Sequence, residues 1–344
     1  MTIQLDAAVS VLKSGAAARN SGDRIQKRLE NVQSFLANDL LAVEKALADL
    51  FGQSPEPALS ASRHLIVQGG KRVRPISLLL SAKCFGPTDE PRFFEMAAVV
   101  ELAHSATLLH DDVVDEGMVR RGSPTSRCIH GNGVSVLAGD MLLIDGLSRT
   151  QSSAPEMLPA FINTLRRLVN GEVVQLRGRT ELDVSEETYE QILRDKTASL
   201  FSFSCRTGAQ MAGANEAEQQ HLADFGEALG IAFQLVDDVI DYDGENTGKS
   251  LFADLIEGKL TLPLVLAIQK NPSLEDLVAK IHGGDGSVVA EVSRLVVESG
   301  SCNEVRARAL DYTERALSAL NKLPSSPARA LLEVVAREMT RRVS

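Results

Sequence analysis

Two acidic clusters of one design stand out in this chain: Asp111-Asp112-Val113-Val114-Asp115 and Asp237-Asp238-Val239-Ile240-Asp241. On a helix of 3.6 residues per turn the first and last aspartates of each cluster stack on one face, and the middle one lies about 100° round the axis. Leu108-Leu109 precede the first cluster and Phe233, Leu235 and Val236 the second, so both belong to helices that enter a core. Carboxylates without a counter-charge would be very costly there. A hard divalent cation offsets that cost, and Mg²⁺ in particular is held by one or two carboxylates with waters and the oxygens of a phosphorylated substrate. The plain alternative is a surface run at a helix C-terminus. Acidic groups there oppose the helix dipole, and the pattern occurs twice, each time beside an apolar run, which favours the metal.

Gly69-Gly70-Lys71-Arg72-Val73-Arg74-Pro75 is the second constellation. Paired glycines end one helix, Pro75 suits the first turn of the next, and three cations crowd its N-terminus. Free N–H groups and the helix dipole favour an anion there, and guanidinium forks match phosphate oxygens. Alone, the stretch reads equally as a solvated basic turn. Arg120-Arg121-Gly122 follows the first cluster by five residues, close enough for cations and metal to share one diphosphate. Lys196-Thr197, Gln234 one turn ahead of the second cluster, and Lys249 and Lys259 after it complete the polar set, although each by itself reads as surface. His104 lies seven residues before Asp111, two turns back on the same face; His110 reads as an ordinary satisfied side chain.

Helices must carry these groups. Apolar residues recur at three- and four-residue spacing from Asp23 onward, through Ile25, Leu29, Val32, Phe35, Leu36, Leu40, Leu41 and Val43. The same period predicts helices over 58–68, 75–84, 93–115, 134–148, 157–176, 188–212, 216–241 and 262–269, and over 288–297, 302–323 and 328–343 in a C-terminal third without a chemical motif. Residues 1–22 read as a loose leader lacking the basic start and apolar core of a signal peptide. Residues 23–344 read as one helical domain, because no Pro/Gly/Ser-rich linker interrupts the middle of the 344-residue chain.

Composition agrees. The chain is 44% hydrophobic with only 4% aromatics and no Trp, the palette of packed helices. A formal net charge of -10 argues against nucleic acid, although local cations or a bound metal can reverse the sign of one pocket. No window approaches the apolar length of a membrane span. The four cysteines, Cys84, Cys128, Cys205 and Cys302, lie apart, which suggests neither zinc nor disulfides and fits the reducing cytoplasm.

Taken together these residues resemble the trans-type polyprenyl diphosphate synthases, most of all the long-chain members. The likeness runs from about Arg63 to Leu264: Gly-Gly-Lys-Arg-x-Arg-Pro, His104 through the first Asp-Asp-x-x-Asp, Arg-Arg-Gly, Lys-Thr, Phe-Gln-x-x-Asp-Asp-x-x-Asp, Gly-Lys, and Glu257-Gly258-Lys259-x-Thr261-Leu262-Pro263. It implies an all-α fold of antiparallel helices around a deep cavity, usually a homodimer. By the resemblance, Lys71, Arg74, His104 and Arg121 bind isopentenyl diphosphate, and Arg120, Lys196, Lys249 and Lys259 bind the allylic diphosphate. The six aspartates Asp111, Asp112, Asp115, Asp237, Asp238 and Asp241 hold Mg²⁺, three ions per site with substrate bound; Asp111, Asp115 and Asp237 are the direct ligands expected first. Lys196, Thr197 and Gln234 serve the chemistry, in which loss of the allylic diphosphate leaves a carbocation that the isopentenyl double bond attacks. Ala106 and Thr107 stand where bulky residues stop short products, so their small size implies a longer one. Gly117-Met118-Val119, Ser123 and Phe252 depart from the family pattern, Phe252 in the loop that carries Lys249 and Lys259. A terpene cyclase would share the first cluster but leave Lys71 and Arg74 without a job. A silent partner subunit is the other alternative, which degraded clusters would have marked.

Overall fold

The computed structural model describes residues 31, 32, 34–49, 55–181, 184–243 and 252–341. The expected leader and the first turns from Asp23 lie outside the described residues, as does Lys249. In chain order the elements are α1 (Ala37–Ala48), α2 (Ala58–Val67), α3 (Val73–Lys83), α4 (Pro91–Val114), a hairpin of β1 (Val119–Arg120) and β2 (Ser123–Pro124), α5 (Ser126–His130), α6 (Asn132–Ser153), α7 (Leu158–Glu181) and α8 (Glu186–Ile192). A π-helical turn over Leu193–Ala198 leads into α9 (Ser199–Met211). Then come α10 (Glu216–Asp243), α11 (Ala253–Ile256), α12 (Leu262–Lys270), α13 (Leu274–His282), α14 (Val289–Glu298), α15 (Ser301–Leu320) and α16 (Pro327–Thr340). The fold is all-α. Among the described residues no helix is long and apolar enough to cross a membrane.

The chain forms two compact units. The first holds the described residues up to Asn163 with Phe203–Ala223 and Leu323–Val335. Its axis is α4, which is buried on nearly every side from Phe93 to Leu109 and packs along α6, with α1 and α3 against it. A helix apolar all round belongs in a core. α9 crosses α3 at Gly208, where an added Cβ would collide with the Leu78 carbonyl. The second unit holds Thr164–Ser202, Asp224–Lys322 and the described residues from Ala336 on. Leu193, Val236, Val239, Leu255, Leu264, Val278, Val292 and Val305 build its core.

Helices arise where the apolar period predicts them; besides the short α5 and α11, which no predicted span covers, three departures stand out. The span expected as one helix over 188–212 is broken by the π-helical turn, which the apolar period does not reveal because it runs on with a one-residue slip. α13 is not anticipated, since between Pro272 and Gly283-Gly284 the helix runs for only nine residues; yet Leu274, Val278 and Ile281 bury one face. The hairpin is too short for an alternating pattern, and Arg121 (φ 53°) and Gly122 (φ 76°) form its two-residue turn with both φ positive.

The Gly208 crossing gives a direct test of the first unit. Gly208→Ala should destabilise the protein by about 1–3 kcal/mol, because backbone must shift to admit the methyl. A melting temperature equal to that of the native chain would show that α3 and α9 do not approach so closely.

Candidate active site

In the first unit, α2 ends at Gly69 (φ 74°), and the chain turns through Lys71 and Arg72 into α3. Arg72 takes the left-handed conformation (φ 50°) and points inward. Its Nε donates to Glu44 Oε1 at 2.7 Å, one terminal nitrogen donates to Glu101 Oε1 at 2.6 Å, and the other reaches the Ile66 carbonyl at 3.3 Å. Arg72 is 6% exposed and Glu101 3%, so this ion pair is a buried one, and removing one partner would cost about 3–5 kcal/mol. Burial alone would lower the Arg72 guanidinium; Glu101 and Glu44 outweigh it and hold it above its ordinary value. Burial lowers Arg74 to about 10, against the pull of Glu101. Arg121, at the hairpin tip, donates to the Gly69 carbonyl and is likewise drawn by Glu101. One carboxylate on α4 thus gathers three arginines from two segments.

His104 lies one turn beyond Glu101 on α4. Desolvation, then Arg74, Arg121, Arg120 and Arg72, hold its imidazole neutral, well below the usual range. At the end of the helix the three aspartates separate. Asp112 is 2% exposed, and both Nε and a terminal nitrogen of Arg120 meet its Oδ1, at 2.8 and 2.7 Å. Asp111 and Asp115 keep part of their surface, one turn apart, the Asp115 amide donating to the Asp111 carbonyl at 2.8 Å. Ala106 is wholly covered, whereas Thr107 is part-exposed and donates to the His104 carbonyl at 2.8 Å. His110 is satisfied as expected, against the Val136 carbonyl at 3.1 Å and Asp140 at 3.4 Å.

In the second unit, Lys196 and Thr197 sit within the π-helical turn, and Lys196 pairs with Glu172 of α7. Thr197 Oγ1 donates to Gln234 Oε1 at 3.2 Å, Gln234 Nε2 donates to Asp238 Oδ1 at 2.8 Å, and the Tyr189 hydroxyl donates to Asp238 Oδ2 at 2.6 Å. Asp238 is 3% exposed. Burial and then Asp254 push its carboxyl up to about 7 against the two hydrogen bonds it accepts. Asp241 accepts from the amides of Ala253 and Asp254 at 3.0 and 3.3 Å, and its carbonyl accepts from Phe252, itself left-handed at φ 65°. That side chain anchors the return of the chain into α11. Asp237 stays part-exposed, and Lys259 pairs with Glu257 at 2.6 Å and Asp254 at 3.4 Å.

Glu101, Glu172, Tyr189 and Asp254 are missing from the residues expected from sequence. Glu101 had a signal, a lone charge within Ala97-Ala98-Val99-Val100-Glu101-Leu102-Ala103. The other three act through partners distant in sequence, which no local pattern marks. Among the described residues no three His, Cys, Asp or Glu side chains already converge on a metal position. Burial pushes the Cys84 thiol up to about 11 and Cys205 to about 12, so neither is a ready nucleophile.

Among the described residues, carboxylates near helix ends lie with paired cations and two unreactive buried thiols, a set suited to electrostatic handling of an anionic group. Comparison with known proteins makes the class specific. The polyprenyl synthetase family model matches residues 56–298. An all-trans-nonaprenyl-diphosphate synthase (geranyl-diphosphate specific) of Rhodobacter capsulatus is 36% identical over 308 residues, covering 88% of this chain and 94% of its own. The octaprenyl diphosphate synthase of Escherichia coli K12 is 34% identical over 88% of this chain and 96% of its own. The solved polyprenyl synthase of Caulobacter crescentus, complexed with calcium and isoprenyl diphosphate, superposes with a TM-score of 0.85 at 34% identity, over 92% of this chain and 98% of its own. The chain belongs to the polyprenyl synthetase family and is a prenyltransferase.

The depressed His104 gives a pH prediction. In the substrate-free protein its ring should stay neutral as pH falls through about 6.5, where the unfolded chain takes up a proton. Native stability should therefore decline below that pH, since the unfolded state binds more protons. An NMR titration, with the signal assigned through His104→Gln, checks this; a midpoint at or above about 6.5 would contradict it.

Proposed function

We propose that the chain condenses isopentenyl diphosphate with an allylic diphosphate (dimethylallyl, geranyl or farnesyl) in an Mg²⁺-dependent reaction. Its product is an all-trans polyprenyl diphosphate longer than C20, in keeping with the nonaprenyl and octaprenyl names of the two relatives above. The observation that carries this reading is the sorting of the carboxylates at the end of α4: Asp111 and Asp115 are part-exposed one turn apart, while Asp112 is buried against Arg120.

Hard oxygen donors of this kind fit Mg²⁺. Asp111, Asp115 and Asp237 would hold the ions, three per site with substrate, while Asp112, Asp238 and Asp241 keep the clusters in shape. Mg²⁺, when bound, supplies positive charge that favours departure of the allylic diphosphate. The chain's own cations do the rest of the gripping. Lys71, Arg74 and Arg121 hold isopentenyl diphosphate, and neutral His104 adds a hydrogen bond without adding charge. Arg120, Lys196, Lys249 and Lys259 receive the allylic diphosphate, Lys196 and Lys259 exchanging their carboxylate partners for it. The departing group then meets preorganised cations, the largest source of stabilisation open to such a site. Thr197 and Gln234 turn oxygen dipoles towards the cation, and the released diphosphate accepts the final proton.

For product length we assign the wall to Thr107, backed by covered Ala106. A short side chain there leaves room for a growing chain. We also infer a homodimer in the cytoplasm. Leu137 and Ile144 are exposed seven residues apart on α6, as are Ile162 and Val169 on α7, with Val173 one turn further. Such stripes suit a second copy better than solvent.

Incubation with isopentenyl diphosphate, Mg²⁺ and each allylic primer, followed by chain-length analysis, tests the reading. Products beyond C20 should form, and Thr107→Phe should shorten them; an unchanged ladder would reject the wall. Asp111→Ala should cut turnover about a hundredfold or more at saturating Mg²⁺. A near-native rate would remove Asp111 from the metal site.

A further inference from the structure

One buried carboxylate of the second cluster has both oxygens occupied by neutral donors. Tyr189 donates to Asp238 Oδ2 at 2.6 Å and Gln234 Nε2 to Oδ1 at 2.8 Å. The remaining end of the Gln234 amide, Oε1, faces Thr197 Oγ1 at 3.2 Å. These four groups meet because of the π-helical turn. Along a regular α-helix Tyr189 and Thr197, eight residues apart, would diverge by about 80°. A π-turn takes one residue out of the count, and seven steps of about 100° bring them within about 20° of one face. Gln234 and Asp238, four residues apart on α10, share a face in the same way.

The polarity of this chain follows from chemistry. Both Asp238 oxygens act as acceptors, Oδ2 towards the Tyr189 hydroxyl and Oδ1 towards Gln234 Nε2, so the Gln234 amide presents N–H to Asp238 and oxygen to Thr197. A threonine hydroxyl has one proton and two lone pairs. With that proton directed to Gln234, what Thr197 can offer any other neighbour is its lone pairs.

We propose that Asp238, anchored by Tyr189, is a positioning residue that sets the polarity of Thr197, so that its hydroxyl meets the allylic carbocation as an acceptor only. The inference rests on the prenyl-transfer reading above. It gives Asp238 a task other than metal binding, and it explains a tyrosine that no motif contains. The reacting cation is stabilised by an oxygen whose proton is held away from it, at no cost in reorganisation when charge develops.

Two variants test it. Asp238→Asn places an amide donor against Gln234, which turns its own amide over and frees the Thr197 proton to point at the cation. In the relay, kcat should fall about tenfold or more while the KM of both substrates and the Mg²⁺ dependence change less than about threefold. The double variant Gln234→Glu with Asp238→Asn restores an acceptor opposite Thr197 and keeps the total charge; it should recover most of the lost kcat. It is compared with the native enzyme directly, so it decides the matter even where the single variant does not fold. An unchanged kcat in Asp238→Asn, or a folded double variant about tenfold or more slower than the native enzyme, would overturn the relay. So would a higher Mg²⁺ requirement with full kcat at saturation, which would make Asp238 a metal ligand. A native enzyme that elongates no primer would instead reject the synthase reading, a result separate from all of these.

Discussion

Ionised groups carried on apolar helices must be answered by other charges or by donors, and most of the site follows from how that is done. In the first unit a single carboxylate, Glu101, faces Arg72, Arg74 and Arg121 from the middle of α4. Glu44 also pairs with Arg72. Three guanidiniums thus gather at one carboxylate in a chain of net charge -10, which shows that overall acidity does not prevent a local cluster of cations. Burial and the same arginines keep His104 neutral.

The two aspartate clusters share a pattern but neutralise their buried members differently. Asp112 is answered by a full cation, Arg120, which places a guanidinium beside Asp111 and Asp115. Asp238 meets a hydroxyl and a side-chain amide, and Asp241 accepts from two backbone amides. Burial, and then the charge of Asp254, push the Asp238 carboxyl up to about 7. A repeated sequence motif thus meets a guanidinium in one copy and neutral donors at Asp238 in the other.

Much of this was legible in the sequence. The apolar period locates the helix interiors because burial of one face fixes it. The aspartates, the basic turn, the paired arginines and Lys196-Thr197 announce themselves by type and spacing. Spacing alone does not separate the six aspartates, and only the family resemblance singles out three; which carboxylate turns inward depends on Arg120, Tyr189 and the amides of α11, all outside the clusters. Nor does it reveal the π-helical turn: a one-residue slip in the apolar period passes for an unbroken helix, yet it changes which polar side chains share a face. Glu101 lies between these cases, conspicuous as a charge in an apolar run but without a role until Arg72 is seen against it.

Arg72 shows why the structure was needed. In the sequence Lys71, Arg72 and Arg74 read as three equal cations awaiting an anion. A left-handed backbone at Arg72 turns its side chain inward, a conformation that costs a non-glycine residue about 1–2 kcal/mol. That cost is offset because one planar guanidinium reaches Glu44, Glu101 and the Ile66 carbonyl together, through donors that a lysine ammonium does not present in a fixed fork. With Arg72 satisfied, the turn is held from within, and the part-exposed cations of the same turn, Lys71 and Arg74, are set in place before any substrate arrives. The middle cation of the motif is thus a structural member, and the outer two owe their geometry to it.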